Sequence, residues 1–173
     1  MDTEFLNDPT IAPLELMRLA GAINGVLRKR GITRSENNPI SDYTEWLVSL
    51  HLGLALAHPS VKGYDATGLD GMKYEIKARR VTAANPSRQL SAIRDLETGH
   101  FDYLIAVVYS ENFDVQLGLK IPRSVVVEKA RWAKHTNSHS FFADHTLALI
   151  PGVETLTDLL NQPLPSRENK LHA

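Results

Sequence analysis

The sequence predicts an α/β fold in which a mixed β-sheet is flanked by helices. Three features point to it. Apolar residues recur at helical spacing in 9–30 and again in 42–57. The segment 101–109 is apolar at almost every position, which is typical of a strand buried on both faces of a sheet. Between these features, two short segments flank Gly71 and are predicted to pair as a hairpin.

The N-terminal half is predicted to hold two helices and two strands. The first helix, 9–30, stops at Gly31, and its apolar stripe includes Leu14, Met17 and Ile23. A polar loop then leads to a second helix, 42–57, which ends before Pro59 because the residue preceding a proline disfavours helix. Strands at 61–67 and 72–79 follow.

The C-terminal half begins with a loop at 81–87 and a short helix predicted at 88–97. Strands at 101–109 and 113–121 come next, joined by a tight turn. Pro122 suits the first turn of a helix running to about residue 134. A loop at 136–144, with room for a short strand, precedes a last helix at 153–161. The predicted order is α, α, β, β, α, β, β, α.

The length suits one domain, predicted at 1–162 and followed by a flexible tail, 163–173. Within it we expect the N-terminal helix at 9–30, a core at about 37–121 and a helical part at 122–162. The hydrophobic share of 43% and the charged share of 23% are ordinary for a globular protein. No cysteine is present, which excludes disulfides and thiolate metal sites. A bound metal would therefore be a hard ion held by oxygen or histidine ligands.

The net charge of −1 and the pI near 6.7 argue against a protein that binds nucleic acid by electrostatics alone. They do not argue against a metal-dependent nuclease, whose centre is itself acidic. The acidic start, and the lack of an apolar stretch near the ~20 residues of a membrane helix, predict a soluble, cytoplasmic protein with no membrane partner.

The hairpin carries the chemistry that the sequence predicts. A two-residue turn would place Asp65 opposite Ile76, whereas a three-residue loop with a left-handed Gly71 places Asp65 opposite Glu75. The second register puts the acidic and basic side chains on one face and the apolar ones, with Tyr64 among them, on the other. Register follows the buried face, so we expect the three-residue loop. Directly opposite residues have Cβ atoms about 5 Å apart, close enough for two carboxylates to share a metal ion.

Lys77 would lie on the same face, two residues beyond Glu75. Asp65, Glu75 and the carbonyl of Ile76 can hold a divalent ion, and Lys77 can orient or deprotonate a water or offset the charge of a phosphate. The same residues also fit an edge hairpin with solvated side chains. Glu45, on the second helix, can be a further ligand, or it can form a capping box with Asp42.

A run of cationic and polar side chains follows the hairpin and is a candidate nucleic-acid contact surface: Lys73, Arg79, Arg80, Arg88 and Gln89. A charge run is also typical of a solvated face. The histidines at 135, 139 and 145 allow a metal site, although polar flanks favour a loop. Trp46 and Trp132 are expected in the core.

Glu45, Asp65 and Glu75-Ile76-Lys77, in the order α-β-β-α-β, resemble the PD-(D/E)xK nuclease superfamily. The resemblance covers about 37–121 and implies a restriction-endonuclease-like αβββαβ core. It also implies Mg²⁺ dependence, with Mn²⁺ able to substitute, and hydrolysis of phosphodiester bonds. Asp65 and Glu75 would then be metal ligands and Lys77 the catalytic lysine. The proline of the family name is missing, because Tyr64 precedes Asp65.

The expected function is a restriction-type, metal-dependent endonuclease that hydrolyses DNA and pairs as a homodimer to cut both strands. Two alternatives stay open. One is a nucleic-acid-binding module of the same fold without activity, and the other is a nuclease or toxin directed at RNA.

Overall fold

The computed structural model describes residues 3–164, so the predicted tail lies outside the described residues from residue 165 onward. Four helices and eight strands alternate with short 3-10 turns. The helices are α1 Pro13–Lys29, α2 Ile40–Leu52, α3 Arg123–Lys129 and α4 Thr157–Leu160. The strands are β1 Ala55–Leu56, β2 Ala66–Thr67, β3 Lys73–Arg80, β4 Tyr103–Tyr109, β5 Val115–Pro122, β6 Arg131–Ala133, β7 Ser138–Ser140 and β8 Glu154–Thr155.

Six strands form one mixed sheet in the order β1-β2-β3-β4-β5-β8. Strands β3 and β4 run parallel, and the other neighbours in the sheet are antiparallel. From Leu104 to Tyr109 the central strand β4 is buried at every position, which confirms a strand covered on both faces. Strands β6 and β7 form a separate two-stranded hairpin.

Each face of the sheet carries its own hydrophobic cluster. On one face, α2 and α4 pack over side chains that include Ile76, Ile105 and Val107. On the other face, α3 and the irregular segments around it cover Leu104, Ala106 and other residues of β4 and β5. The predicted class, a mixed sheet flanked by helices, is therefore confirmed. None of the helices in the described residues is both long and apolar enough to cross a membrane.

Helix α1 forms as predicted, but it does not join the core. None of its residues is buried. Its turns present half-exposed apolar side chains: Leu14, Leu16, Met17, Leu19, Ile23 and Val26. Only the C-terminal part approaches the body of the protein, where Ile23 and Leu27 line a shallow apolar groove with Tyr43.

The helix predicted at 88–97 is wrong. This segment is extended and irregular, with a single 3-10 turn at Leu96–Thr98. Its buried residues, Leu90, Ile93 and Leu96, recur every three positions and so imitate a helical stripe. The backbone N–H groups of Leu90 and Ile93 instead donate to the carbonyls of Phe141 and His139, at 2.9 and 3.0 Å. Strands β3 and β4 are thus joined by a crossover without an α-helix.

Three further boundaries differ from the predicted ones. Helix α2 ends at Leu52, because Gly53 adopts a left-handed conformation with φ +66° and the chain enters β1. The helix predicted to reach residue 134 ends at Lys129, and the hairpin β6–β7 follows. The helix predicted at 153–161 is divided between β8 and the short α4. Trp132 is not in the core, since it lies on β6 with 55% of its surface exposed.

Candidate active site

The hairpin β2–β3 closes through the three-residue loop that the sequence predicts. Gly68 N–H donates to the carbonyl of Met72 at 2.9 Å, and Gly71 N–H donates to the carbonyl of Gly68 at 3.0 Å. Gly71 is left-handed, with φ +80°. The side chain of Asp70 accepts from Met72 N–H at 3.0 Å and stiffens the loop. This arrangement sets which residues of the two strands face each other.

The ladder pairs Ala66 with Tyr74 and Thr67 with Lys73. This register, continued by one residue, leads to Asp65 opposite Glu75, and the alternative with Asp65 opposite Ile76 is not formed. The ladder nevertheless stops at Ala66. Asp65 N–H donates to the carbonyl of Tyr74 at 2.8 Å, and Asp65 Oδ2 accepts from Ile76 N–H at 2.7 Å. The carboxylate of Asp65 is therefore fastened to the backbone of β3 beside Glu75.

The break in the ladder moves Tyr64 to the other face. The sequence predicts that Tyr64 shares a face with Tyr74 and Ile76, and this is wrong. Tyr64 packs against the opposite cluster, and its ring lies 5.1 Å from Nζ of Lys73. The alternation of side chains fails here because residue 65 no longer pairs across the hairpin.

Glu75 and Lys77 lie on one face of β3, beside Leu104 and Ala106 of β4. Both side chains are mostly covered, and Lys77 Nζ lies 2.5 Å from Glu75 Oε1. Burial acts to lower the pKa of Lys77, but the attraction of Glu75, with that of Asp65 and Glu45, outweighs it and raises the pKa. Lys77 is thus a firmly protonated ammonium group among carboxylates.

Asp65 and Glu45 are the acids that this environment disturbs most. Burial, with the neighbouring charge of Glu75, raises the pKa of Asp65 to about 6. The hydrogen bond from Ile76 N–H lowers this pKa but does not outweigh them. Burial, with the charge of Asp65, raises the pKa of Glu45 to about 7 despite its pairing with Arg34. The charge of Asp65 acts on the pKa of Glu45, so the two groups lie close in space although they come from a strand and a helix.

Glu45 lies in the second turn of helix α2, on the side toward the hairpin, and is 9% exposed. The capping-box alternative is wrong, because the helix begins at Ile40 and Pro39 is its cap. Asp42 instead accepts the N–H groups of Arg34 and Ser35, each at 2.7 Å. Asp42 thereby fixes the loop before α2 rather than the helix end.

Arg34 is a site residue that sequence reasoning missed. Its guanidinium pairs with the carboxylate of Glu45 and donates to the carbonyl of Ala57 at 2.6 Å. Arg34 lies in a polar loop with no periodicity, and its partners are distant in sequence. The only signal available was a cation shortly before a helix that carries a buried acid. Arg34, Glu45 and Asp65 all line a polar cavity of about 220 Å³.

The predicted nucleic-acid contacts are only partly brought together. Lys73 lies at the exposed turn end of β3, over Tyr64. Arg79 shares the face of Lys77, but it donates to the Ser87 carbonyl at 2.9 Å and to Asn85 at 2.8 Å, so it holds the following loop. Arg80 points to the other face, where it donates to the Glu111 carbonyl and covers the ring of Phe113.

Arg88 and Gln89 lie on the extended segment that replaces the predicted helix. Arg88 contacts His145 Nε2 at 3.2 Å. Gln89 is exposed and pairs through its backbone with Phe142. The predicted helix 88–97 that would have carried Arg88 and Gln89 does not form.

Acidic and histidine side chains that could bind a metal lie both near the C-terminal histidines and at the hairpin. In 3–164, no three or more His, Asp and Glu side chains are grouped so that they could hold an ion. His139 pairs with Glu97 at 3.1 Å, and His145 faces Arg88. At the hairpin, burial first and neighbouring carboxylates second raise the pKa values of Asp65 and Glu45. Asp65 is held beside Glu75, and a divalent cation between their oxygen donors would offset the repulsion of the two carboxylates, so these donors fit one.

Comparison with protein-family models and with curated proteins finds no match to this chain. The site is therefore interpreted from its own residues and geometry.

Proposed function

We propose that this protein is a metal-dependent endonuclease that hydrolyses DNA phosphodiester bonds in the cytoplasm. One observation carries the proposal. The hairpin β2–β3 fastens Asp65 beside Glu75 and Lys77, so that two carboxylates and a buried ammonium group meet at one end of the sheet. Structural hairpins rarely concentrate charged groups in this way, because desolvation makes each of them costly.

Asp65, Glu75 and the carbonyl of Ile76 would hold the metal ion, and Glu45 would reach it through a water. Mg²⁺ is the expected ion and Mn²⁺ a substitute, because both prefer oxygen donors. When bound, the ion would activate a water for attack and polarise the phosphoryl oxygen. Asp65 is already oriented by Ile76 N–H, so this ligand needs little rearrangement.

Lys77 would act as a cation rather than as a base. Its raised pKa keeps it protonated at neutral pH, so it can donate hydrogen bonds but cannot accept a proton. Glu75 holds its Nζ in place at 2.5 Å. In this position the ammonium group would orient the attacking water and offset the negative charge that grows on the phosphate.

The test is digestion of plasmid DNA, single-stranded DNA and RNA, each with Mg²⁺ or with EDTA. We expect cleavage of DNA that requires the metal. Lys77→Ala should reduce cleavage by at least about 100-fold, the usual scale for a lost electrostatic contact in a transition state. Lys62→Ala, at an exposed position, is the matched control and should cleave normally. Unchanged cleavage by folded Lys77→Ala refutes the assignment. Cleavage of RNA alone would show that the substrate is RNA and not DNA.

A binding module without activity is the second candidate, and one observation favours it. Glu75 is already paired with Lys77, and Glu45 with Arg34, so two of the carboxylates proposed for the metal site have partners within the protein. Magnesium binding or DNA binding with no cleavage of any substrate would select this candidate.

A homodimer is part of the proposal, with α1 as the contact between the two copies. Leu16, Leu19, Ile23 and Val26 form a half-exposed stripe along one side of the helix. The spacings between them, three, four and three, read the same in both directions. An antiparallel pair of helices would match Leu16 with Val26 and Leu19 with Ile23. It would also bring Glu15 near the basic end of the partner copy's helix, which is the self-complementarity that a two-fold contact requires.

A further inference from the structure

A second cavity lies away from the hairpin. It has a volume of about 680 Å³, within the range of ligand pockets. The walls combine two cations, an aromatic ring and polar side chains over an apolar floor: Lys129, Arg131, Phe142, Asp144, Thr146 and Leu147. We refer to these six residues as the Phe142 groove.

Phe142 faces outward because its neighbours are fixed inward. Phe141 is 1% exposed and Ala143 is fully buried, whereas Phe142 is 47% exposed. The segment is extended and pairs with Gln89, so side chains alternate between the two sides. The ring of Phe142 therefore lines the groove with nearly half of its surface exposed.

The cations of the groove are suited to a phosphate. No hydrogen bond or ion pair engages the guanidinium of Arg131 among residues 3–164, which leaves its donors free. Lys129 has Nζ 2.8 Å from the carboxylate of the exposed Glu128, a pair that solvent weakens. Asp144, the one acid of the groove, is engaged by the N–H and hydroxyl of Thr146.

The groove is connected to the candidate active site along one side of the sheet. Lys77 and Arg79 share a face of β3, and Arg79 holds the carbonyl of Ser87. Arg88 comes next in the chain and reaches His145, which lies between Asp144 and Thr146 of the groove. The backbone carbonyl of Arg88 also accepts from Ala143 N–H at 3.2 Å.

We infer that the Phe142 groove binds a single, unpaired strand of DNA that extends from the active site. Phe142 stacks on a base, and Arg131 and Lys129 contact the flanking phosphates. A cationic groove with an exposed aromatic ring is the arrangement by which proteins bind single strands. Stacking needs a free base face, and in a duplex both faces are covered by neighbouring bases. The inference rests on the proposed function, since it assigns the groove to the substrate of that centre.

The test measures binding of the full chain, by fluorescence anisotropy in EDTA, to a labelled 12-nucleotide single strand and to a duplex of the same sequence. Phe142→Ala should weaken binding of the single strand about 5- to 100-fold, the range for a lost stacking contact, and leave duplex binding unchanged. Phe142→Trp should restore it. Phe5→Ala, which removes a ring elsewhere that is 58% exposed, is the matched control.

Arg131→Ala should lower the slope of log affinity against log salt by about 0.7, the value for one phosphate contact on a single strand. Arg30→Ala serves as its control. Equal affinities for folded Phe142→Ala and the unaltered protein would overturn the inference, and so would equal losses on single strand and duplex. Preferential binding of an acidic peptide would also overturn it.

The two proposals can fail separately. Phe142-dependent binding without metal-dependent cleavage would leave the groove in place and refute the nuclease. Metal-dependent cleavage with single-strand binding that does not depend on Phe142 would support the nuclease and refute the role of the groove.

Discussion

Asp65 and Glu45 are acidic side chains whose charged forms the folded protein disfavours. Their pKa values rise to about 6 and about 7 on folding, mainly through burial, with further contributions from the charge of Glu75 on Asp65 and of Asp65 on Glu45. The folded state therefore holds more protons than the unfolded state between pH 4 and pH 7. The sign follows from linkage: without metal, the free energy of unfolding falls as pH rises through this window, and the penalty is complete only above about pH 8, where Glu45 is also ionised.

Asp65→Asn removes part of that penalty while keeping an oxygen for Ile76 N–H. At pH 8 in EDTA we expect this variant to be more stable than the unaltered protein, by up to about 3 kcal/mol at the usual value per pKa unit. At pH 4 the difference should nearly vanish. Urea denaturation at both pH values measures it, with the exposed Glu111→Gln as control. A variant that is less stable at pH 8 would contradict the assigned shift.

Arg34 keeps Glu45 in place, and its removal tests that role. Arg34→Ala leaves a buried carboxylate without its partner, which should lower the free energy of unfolding by roughly 1–3 kcal/mol at pH 8. Adding Glu45→Gln should recover part of the loss, because the remaining group is neutral. Denaturation of the two single variants and the double variant gives the coupling between them. Additive losses would show that the two side chains do not interact.

The residues of the site differ in how far the sequence reveals them. Asp65, Glu75 and Lys77 were predictable because the hairpin register follows from local rules: a left-handed glycine and a buried face. Arg34 was not, since its partners Glu45 and Ala57 are brought to it only by the packing of α2 and the loop after it.

At the scale of elements, the loop of the hairpin depends on Gly71. A Cβ at this position would meet no atom within 4 Å, so a substitution acts through backbone strain alone. Gly71→Ala should lower the free energy of unfolding by roughly 1 kcal/mol. Gly25→Ala, in the exposed helix α1 and also without close neighbours, should instead raise it slightly. Urea denaturation of both variants checks the contrast, and equal effects would refute the role of φ.

Local sequence patterns predicted an element correctly where its apolar residues followed the periodicity of a single type of secondary structure. Strand β4 is apolar because both faces are covered, and α1 forms where its spacing is helical. The segment around Ile93 was wrongly predicted to be a helix. A three-residue spacing of apolar residues also arises when an irregular chain folds against β7. Nothing local distinguishes these cases, since the deciding hydrogen bonds come from residues about 50 positions away.

At the scale of the whole molecule, α1 is the element whose surface is least explained by the fold. If it joins two copies, a charge in the stripe should separate them. Leu19→Glu should convert a dimer into a monomer in sedimentation velocity, whereas Met17→Glu, on the side of α1 opposite Leu19 and Val26, should not. The proposed contact is refuted if the unaltered protein is monomeric at high micromolar concentration.

The two outermost strands of the sheet offer little template for a further strand. Strands β1 and β8 are each two residues long, so few backbone N–H and C=O groups face outward along either of them. Short margins of this kind oppose the edge-to-edge growth that leads to fibrils and aggregates. The protein should therefore withstand high concentration without amyloid-like polymerisation, even though the centre of its sheet is one of the most apolar segments of the chain.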